Sequence, residues 1–174
     1  MKFLLALVPF LLFAANEPSN YAIEKQAKRL IIGLELRTNN QEGPVTIPAH
    51  WDRFYKENII AKIPNRLGRD VFAIYTDYAG DYTQPYSLII GCEVSSLEEI
   101  PVGLVAKVIP GSSYVIFTSL GKFPESLTQL WQKIWQLESS SKIKRAYSCD
   151  FEFYPADFDP KAKPAVKVYI AAKE

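Results

Sequence analysis

Residues Phe151 to Phe158 read FEFYPADF, with the carboxylate of Glu152 set among the aromatic residues of its first four positions. Alternate side chains of a strand share a face, so Glu152 and Tyr154 point one way and Phe151 and Phe153 the other. A carboxylate among rings attracts organic cations, through charge pairing and through the negative ring faces. Burial raises its pKa and leaves it able to take or give a proton near neutrality. The same spacing also fits a plainer arrangement, a strand glutamate paired with a surface Lys or Arg. Trp131 and Trp135 stand four apart in LWQKIW and share one helix face. That helix already carries Leu130, Ile134 and Leu137, so one tryptophan is free to line a binding groove, although both fit a core. Phe117 and Tyr114 are weaker candidates of the same kind.

Other chemistries find little support. His50 is the single histidine, and in PAHW it reads as a capping or packing residue. No G-x-S-x-G elbow or phosphate loop occurs. Two cysteines and one histidine fall short of a four-ligand zinc site, so neither metal nor cofactor is expected. With 20 Lys+Arg against 19 Asp+Glu, the chain lacks the basic footprint of a nucleic-acid binder.

The elements that must position Glu152 are written twice. FAIYTDY, at Phe72 to Tyr78, copies the FEFY strand with Ala73 where Glu152 stands and Tyr75 where Tyr154 stands. Trp51 precedes Phe72 much as Trp131 precedes Phe151, and a further strand follows each copy, Tyr86-Ser-Leu-Ile-Ile and Val166-Lys-Val-Tyr-Ile. Each half, about 21–97 and 102–174, therefore reads strand–helix–strand–strand. The first strand covers Ala22 to Arg37 with a break or bulge near Gly33. The first helix is capped by Thr46, with Pro48 in its first turn. The second is the amphipathic run Leu127 to Leu137. Two such units bury each other's sheet face. The predicted product is one α+β domain over 21–174, a pseudo-twofold duplication with a mainly antiparallel sheet and two main helices on one face. A groove between those helices is the expected small-molecule site, with acid at one wall and space at the other.

Residues 1–15, MKFLLALVPFLLFAA, have the charged start and short apolar run of a secretory signal peptide. Ala15 suits the last removed position; Phe13, two residues earlier, is bulky where a small residue is preferred, and an uncleaved anchor is the other reading. Cleavage would leave 19 basic and 19 acidic residues, an exported protein in periplasm or medium, and no stable membrane association. Export would permit a disulfide between Cys92 and Cys149, though lone strand cysteines are also commonly unpaired.

The runs VGLVAKVIPGSSYVIFTSLG, LWQKIW, CDFEFYPADF and AVKVYIAAKE, with IEKQAKRLIIGLEL, VFAIYTDYAGDY and YSLIIGCEV before them, resemble the gyrase-inhibitor-like family. This is the effector-binding domain also attached to AraC-type and MerR-type regulators. The resemblance spans about Tyr21 to Glu174. It implies the same fold, small-molecule binding in the central groove, and a ligand-contacting acid at Glu152 with Tyr154 closing the motif. It also implies two activities to choose between. Some members sense drugs or effectors; others hydrolyse cyclopropane-containing toxins, for which Glu152 would be the acid/base. The site expected from residues and resemblance together is Glu152, Tyr154, Tyr75, Trp131, Trp135 and Phe117. The export signal departs from the family, because gyrase binding or transcriptional sensing needs a cytoplasmic protein.

Overall fold

The computed structural model describes residues 21–162 and 164–173. The N-terminal segment read as a signal peptide lies outside them. In chain order the elements are β1 (Tyr21–Gln26), β2 (Arg29–Thr38), α1 (Gly43–Lys56), the short α2 (Ile59–Lys62), β3 (Val71–Thr76), β4 (Tyr86–Glu93), β5 (Val105–Ile109), β6 (Ser112–Thr118), α3 (Glu125–Ser139), β7 (Cys149–Tyr154) and β8 (Lys167–Ala171). All strand pairs are antiparallel, in one sheet of order β1-β6-β8-β7-β3-β4-β2-β5. Exchanging β1 with β5, β2 with β6, β3 with β7 and β4 with β8 returns the same order read from the other end.

β1 and β2 stand near opposite ends of that order, yet only Ala27 and Lys28 join them. Two residues reach only about 7 Å, so the sheet must curl until its ends meet. The pairings show how. Gln26 faces Ser112 and Arg29 faces Ile109 in one continuous register. β1–β2 and β5–β6 are thus two long bent strands paired along their length. Their corners touch, a side chain at Gly111 having only 3.2 Å to the Lys28 nitrogen. The face turned away from the helices is filled by large side chains, with Phe151 stacked on Tyr169 at 4.3 Å and set edgewise to Tyr114 at 5.3 Å.

The other face carries both helices, as expected. α1 contributes Phe54 and His50 and α3 contributes Leu127 and Ile134 as buried residues. They cover Leu34, Ala73, Tyr75, Leu88, Val115 and Val168. Cys92 lies in this helix-side core and Cys149 in the opposite one, so the sheet separates two free thiols. Burial pushes their pKa values up to about 11 and about 12.

Two local expectations are corrected. The first long strand breaks at Ala27–Lys28, not at Gly33, which runs straight through β2 opposite Gly91. The glycines serve close approach: a Cβ on Gly33 would lie 2.5 Å from the Ile90 carbonyl oxygen, and one on Gly91 would meet the Ile32 backbone. α1 begins three residues before Thr46. The Asn39 side chain accepts the Gln41 and Glu42 N–H groups and turns the chain there, and Pro44 then starts the helix. Thr46 instead bonds Thr38 through their hydroxyls at 2.7 Å, and Pro48 sits inside the helix. Among the described residues no helix is long and apolar enough to cross a membrane.

Gly91→Ala should lower unfolding stability by about 3 kcal/mol, because the backbones facing it cannot retreat without breaking the ladder. Urea denaturation measures this, and an unchanged midpoint would refute the close approach.

Candidate functional site

The offset that aligns the repeated strands equates Ala73 with Glu152, and the antiparallel register of β3 and β7 pairs these same two residues. The acid therefore sits at the centre of the palindromic sheet, not at one wall. Antiparallel geometry then places Tyr75 and Tyr154, each two residues further along its own strand, on opposite sides of it. Each tyrosine donates to a different carboxylate oxygen, Tyr75 to Oε1 at 2.9 Å and Tyr154 to Oε2 at 2.7 Å. The row across the sheet is Phe117, Val168, Glu152, Ala73, Ile90, Leu34, one ionisable group in an apolar line.

The helices lay tryptophans on this floor. Trp131 of α3 donates its indole N–H to Oε1 at 2.6 Å and meets Tyr75 edgewise at 5.1 Å. Trp51 of α1, its counterpart in the other half, meets Tyr154 edgewise at 5.0 Å. One helical turn on, Tyr55 stacks on Trp51 at 5.9 Å, and Trp135 lies 6.4 Å from Trp131. Two nearly matching aromatic walls thus descend on one carboxylate.

Glu152 is 2% exposed, so the structure is closed over the acid where an open groove was expected. The indoles fill the space. Two shallow surface depressions lie elsewhere, one lined by Tyr82, Gln132, Trp135, Gln136 and Ser139, the other by residues including Phe117, Ser126 and Leu130. Phe117 shares the helix-side face but stands two strands from Glu152, about 10 Å away, with its ring against Tyr21 at 5.2 Å. Of the six expected residues, the structure joins Glu152, Tyr75, Tyr154 and Trp131 directly. Trp135 belongs to the wall behind, and Phe117 stands apart. Tyr114 is core on the other face.

Burial raises the Glu152 pKa above its ordinary value of 4.5, and the bonds from Tyr154, Trp131 and Tyr75 oppose that rise. Desolvation, then the nearby carboxylate, pushes both tyrosine hydroxyls well above their usual range. All three donors are neutral. The contrast with Asp150, two residues back on the same face, is sharp. Asp150 is wholly buried too, but Arg145 pairs with it at 2.6 Å while Tyr78 and the Ala171 N–H complete its shell. Coulombic attraction and hydrogen bonding by Asp150 hold Arg145 charged against the cost of its burial. The fold supplies a counter-ion to one acid and withholds it from the other.

His50 is a packing residue: its Nε2 lies 3.0 Å from the Leu34 carbonyl, and burial lowers its pKa. No group of three or more His, Cys, Asp or Glu side chains among the described residues could hold a metal. Sequence reasoning missed Trp51 and Tyr55, which the 80-residue offset from Trp131 and Trp135 would have found. It also missed Asp150, which strand alternation would have placed beside Glu152, and Arg145, for which no sequence signal stands out.

A curled antiparallel sheet bearing two helices over a central acid is the effector-binding fold of the gyrase-inhibitor-like proteins. The chain belongs to the Cass2 family of integron-associated effector binding proteins, whose model matches residues 22–172. It is 26% identical over 148 residues to YobU of Bacillus subtilis (strain 168), described as a candidate transcriptional regulator, covering 82% of this chain and 91% of that one. An integron cassette protein from the mobile metagenome of Vibrio cholerae superposes with a TM-score of 0.70 at 24% identity, over 89% of this chain and 97% of its own. The structure of SAV2435 bound to tetraphenylphosphonium superposes with a TM-score of 0.73 at 17% identity, over 88% and 93%.

The raised Glu152 pKa has a consequence for stability. Above the ordinary value the unfolded chain has lost its proton while the folded chain keeps it, so stability falls as pH rises through that window. Glu152→Gln should remove this fall: urea unfolding in buffers stepped upward from the ordinary glutamate range should show a steeper loss for the wild type. Parallel curves would contradict it.

Proposed function

We propose that this protein binds hydrophobic organic cations, with Glu152 as counter-charge and the rings of Trp51, Tyr75, Trp131 and Tyr154 as the surrounding cage. The observation that carries the reading is a buried carboxylate held by three neutral donors and, among the described residues, by no basic side chain. A delocalised cation satisfies it: charge meets Oε1 and Oε2, while an aryl group takes the place that the Trp131 indole holds against Tyr75. Each ring facing the charge adds about 0.5–2 kcal/mol. The tetraphenylphosphonium complex of the similarly folded SAV2435 supports this ligand class. Membership of an effector-binding family supports a sensing or sequestering role.

A second reading, hydrolysis of reactive small molecules such as cyclopropanes, is favoured by one feature. Oε2 receives a single hydrogen bond, from Tyr154, and burial raises the carboxyl pKa, so a proton held there could be delivered to a leaving group. Turnover of an electrophilic substrate that Glu152→Gln abolishes and His50→Ala preserves would establish it. Export of the mature chain, starting near Asn16, completes the proposal. Sequencing the N-terminus of protein recovered from the extracytoplasmic fraction checks it, and a retained Met1 in the cytoplasm would refute it.

Isothermal titration with tetraphenylphosphonium tests the principal reading. A cation needs the ionised carboxylate, so binding expels the proton that the free protein holds, and affinity should rise with pH until that proton is gone. Glu152→Gln should bind roughly 10- to 100-fold more weakly, the worth of a hydrogen-bonded charge contact, and without pH dependence. Equal affinity in the variant would remove Glu152 from the site.

A further inference from the structure

The three donors to Glu152 differ in how freely each can leave. Tyr75 and Tyr154 rise from β3 and β7 at the middle of the sheet and are 9% and 6% exposed. Withdrawing either would break the floor. Trp131 comes from a helix, is half-buried, and can change rotamer without disturbing a strand pair. Its indole N–H donates and never accepts, so in the closed form it presents the positive end of a dipole to the carboxylate.

Behind Trp131 a line of rings leads outward. Trp135 lies 6.4 Å from it, and Tyr82 in the β3–β4 loop stacks on Trp135 at 5.4 Å, within 9° of parallel. Trp135 and Tyr82, with Gln132, Gln136 and Ser139, line a surface depression. The α1 side also leads rings outward, from Trp51 to the exposed Tyr55, but neither ring lines either depression. Trp51 makes no hydrogen bond to Glu152, and Tyr55, the counterpart of Trp135, meets Trp51 and Phe54 of its own helix.

We infer that an aromatic cation enters from the α3 side, resting first on the Tyr82–Trp135 stack and reaching Glu152 by displacing the Trp131 indole from its hydrogen bond. This rests on the cation-binding reading above. The exchange is close to balanced for a cation, because the arriving charge replaces the departing dipole at the same oxygen. It is unfavourable for a neutral ligand of the same shape, which would leave Glu152 one bond short. The gate is therefore also a charge filter. Trp51 is the standing wall against which the ligand comes to rest.

Stopped-flow quenching of tryptophan fluorescence by tetraphenylphosphonium separates these roles. Trp131→Phe keeps a ring but no N–H, and should associate about tenfold faster, part of the worth of one hydrogen bond to a charged group. Trp51→Phe trims the resting wall and should act on dissociation instead, as most contact losses do. Tyr82→Ala, a surface change, should slow association and release by one common factor and leave affinity unchanged, because Tyr82 meets the ligand only in passage. Association by Trp131→Phe at or below the wild-type rate would overturn the gate. A weaker Tyr82→Ala complex with unslowed association would overturn the entry site. A wild-type protein that binds no tetraphenylphosphonium would defeat the cation-binding reading and this inference together, whereas intact binding with unchanged rates in Trp131→Phe and Tyr82→Ala would defeat this inference alone.

Discussion

Burying a carboxylate without a counter-ion costs several kcal/mol, and folded chains usually avoid it by pairing the charge or letting it take a proton. This protein does the first for Asp150, with Arg145, and leaves Glu152 inclined to the second. Three hydrogen bonds limit the cost without cancelling it. Around that residual debt of charge the other features fall into place. Two central strands hold tyrosines at fixed positions on either side, and two helices seal the acid from water with indoles. The curled sheet provides the rigid support such an arrangement needs.

Symmetry explains why a single acid suffices. Where two antiparallel strands pair about a central point, a residue at that point faces its own counterpart. Two acids there would repel across one strand spacing. Ala73 opposite Glu152 leaves one charge at the centre, and the paired tyrosines Tyr75 and Tyr154 can then both serve it. The walls keep this near-match in Trp51·Tyr154 and Trp131·Tyr75, with ring separations of 5.0 and 5.1 Å. Hydrogen bonding breaks it, because Trp131 reaches Glu152 and Trp51 does not. The site is twofold in shape and one-sided in charge.

Much of this was legible in the sequence, because strand alternation and helix periodicity are local. The face shared by Glu152 and Tyr154, the apolar stripe of α3 and the spacing of FAIYTDY to FEFYPADF each follow from a few neighbouring residues. The parts that escaped depend on partners distant in the chain. The central position of Glu152 follows from the register of β3 on β7. The curl of the sheet follows from β1 pairing with β6 at one end of the strand order and β2 with β5 at the other. The closed cage depends on indoles from two helices meeting over one residue. Thr46 misled as a cap because Asn39 turns the chain earlier, and Gly33 misled as a break because a glycine that permits close strand approach looks the same in sequence. Phe117 misled because it shares the right face, two strands too far along.

The central claim is that Glu152, buried without a counter-ion, is inclined to hold a proton that an arriving cation would displace. Nuclear magnetic resonance of the side-chain carboxyl carbon reads its ionisation directly, in the free protein and with tetraphenylphosphonium bound. The account requires the titration midpoint to lie above the ordinary glutamate range when free and to fall on binding. A midpoint already low in the free protein, or one that ligand leaves in place, would contradict it.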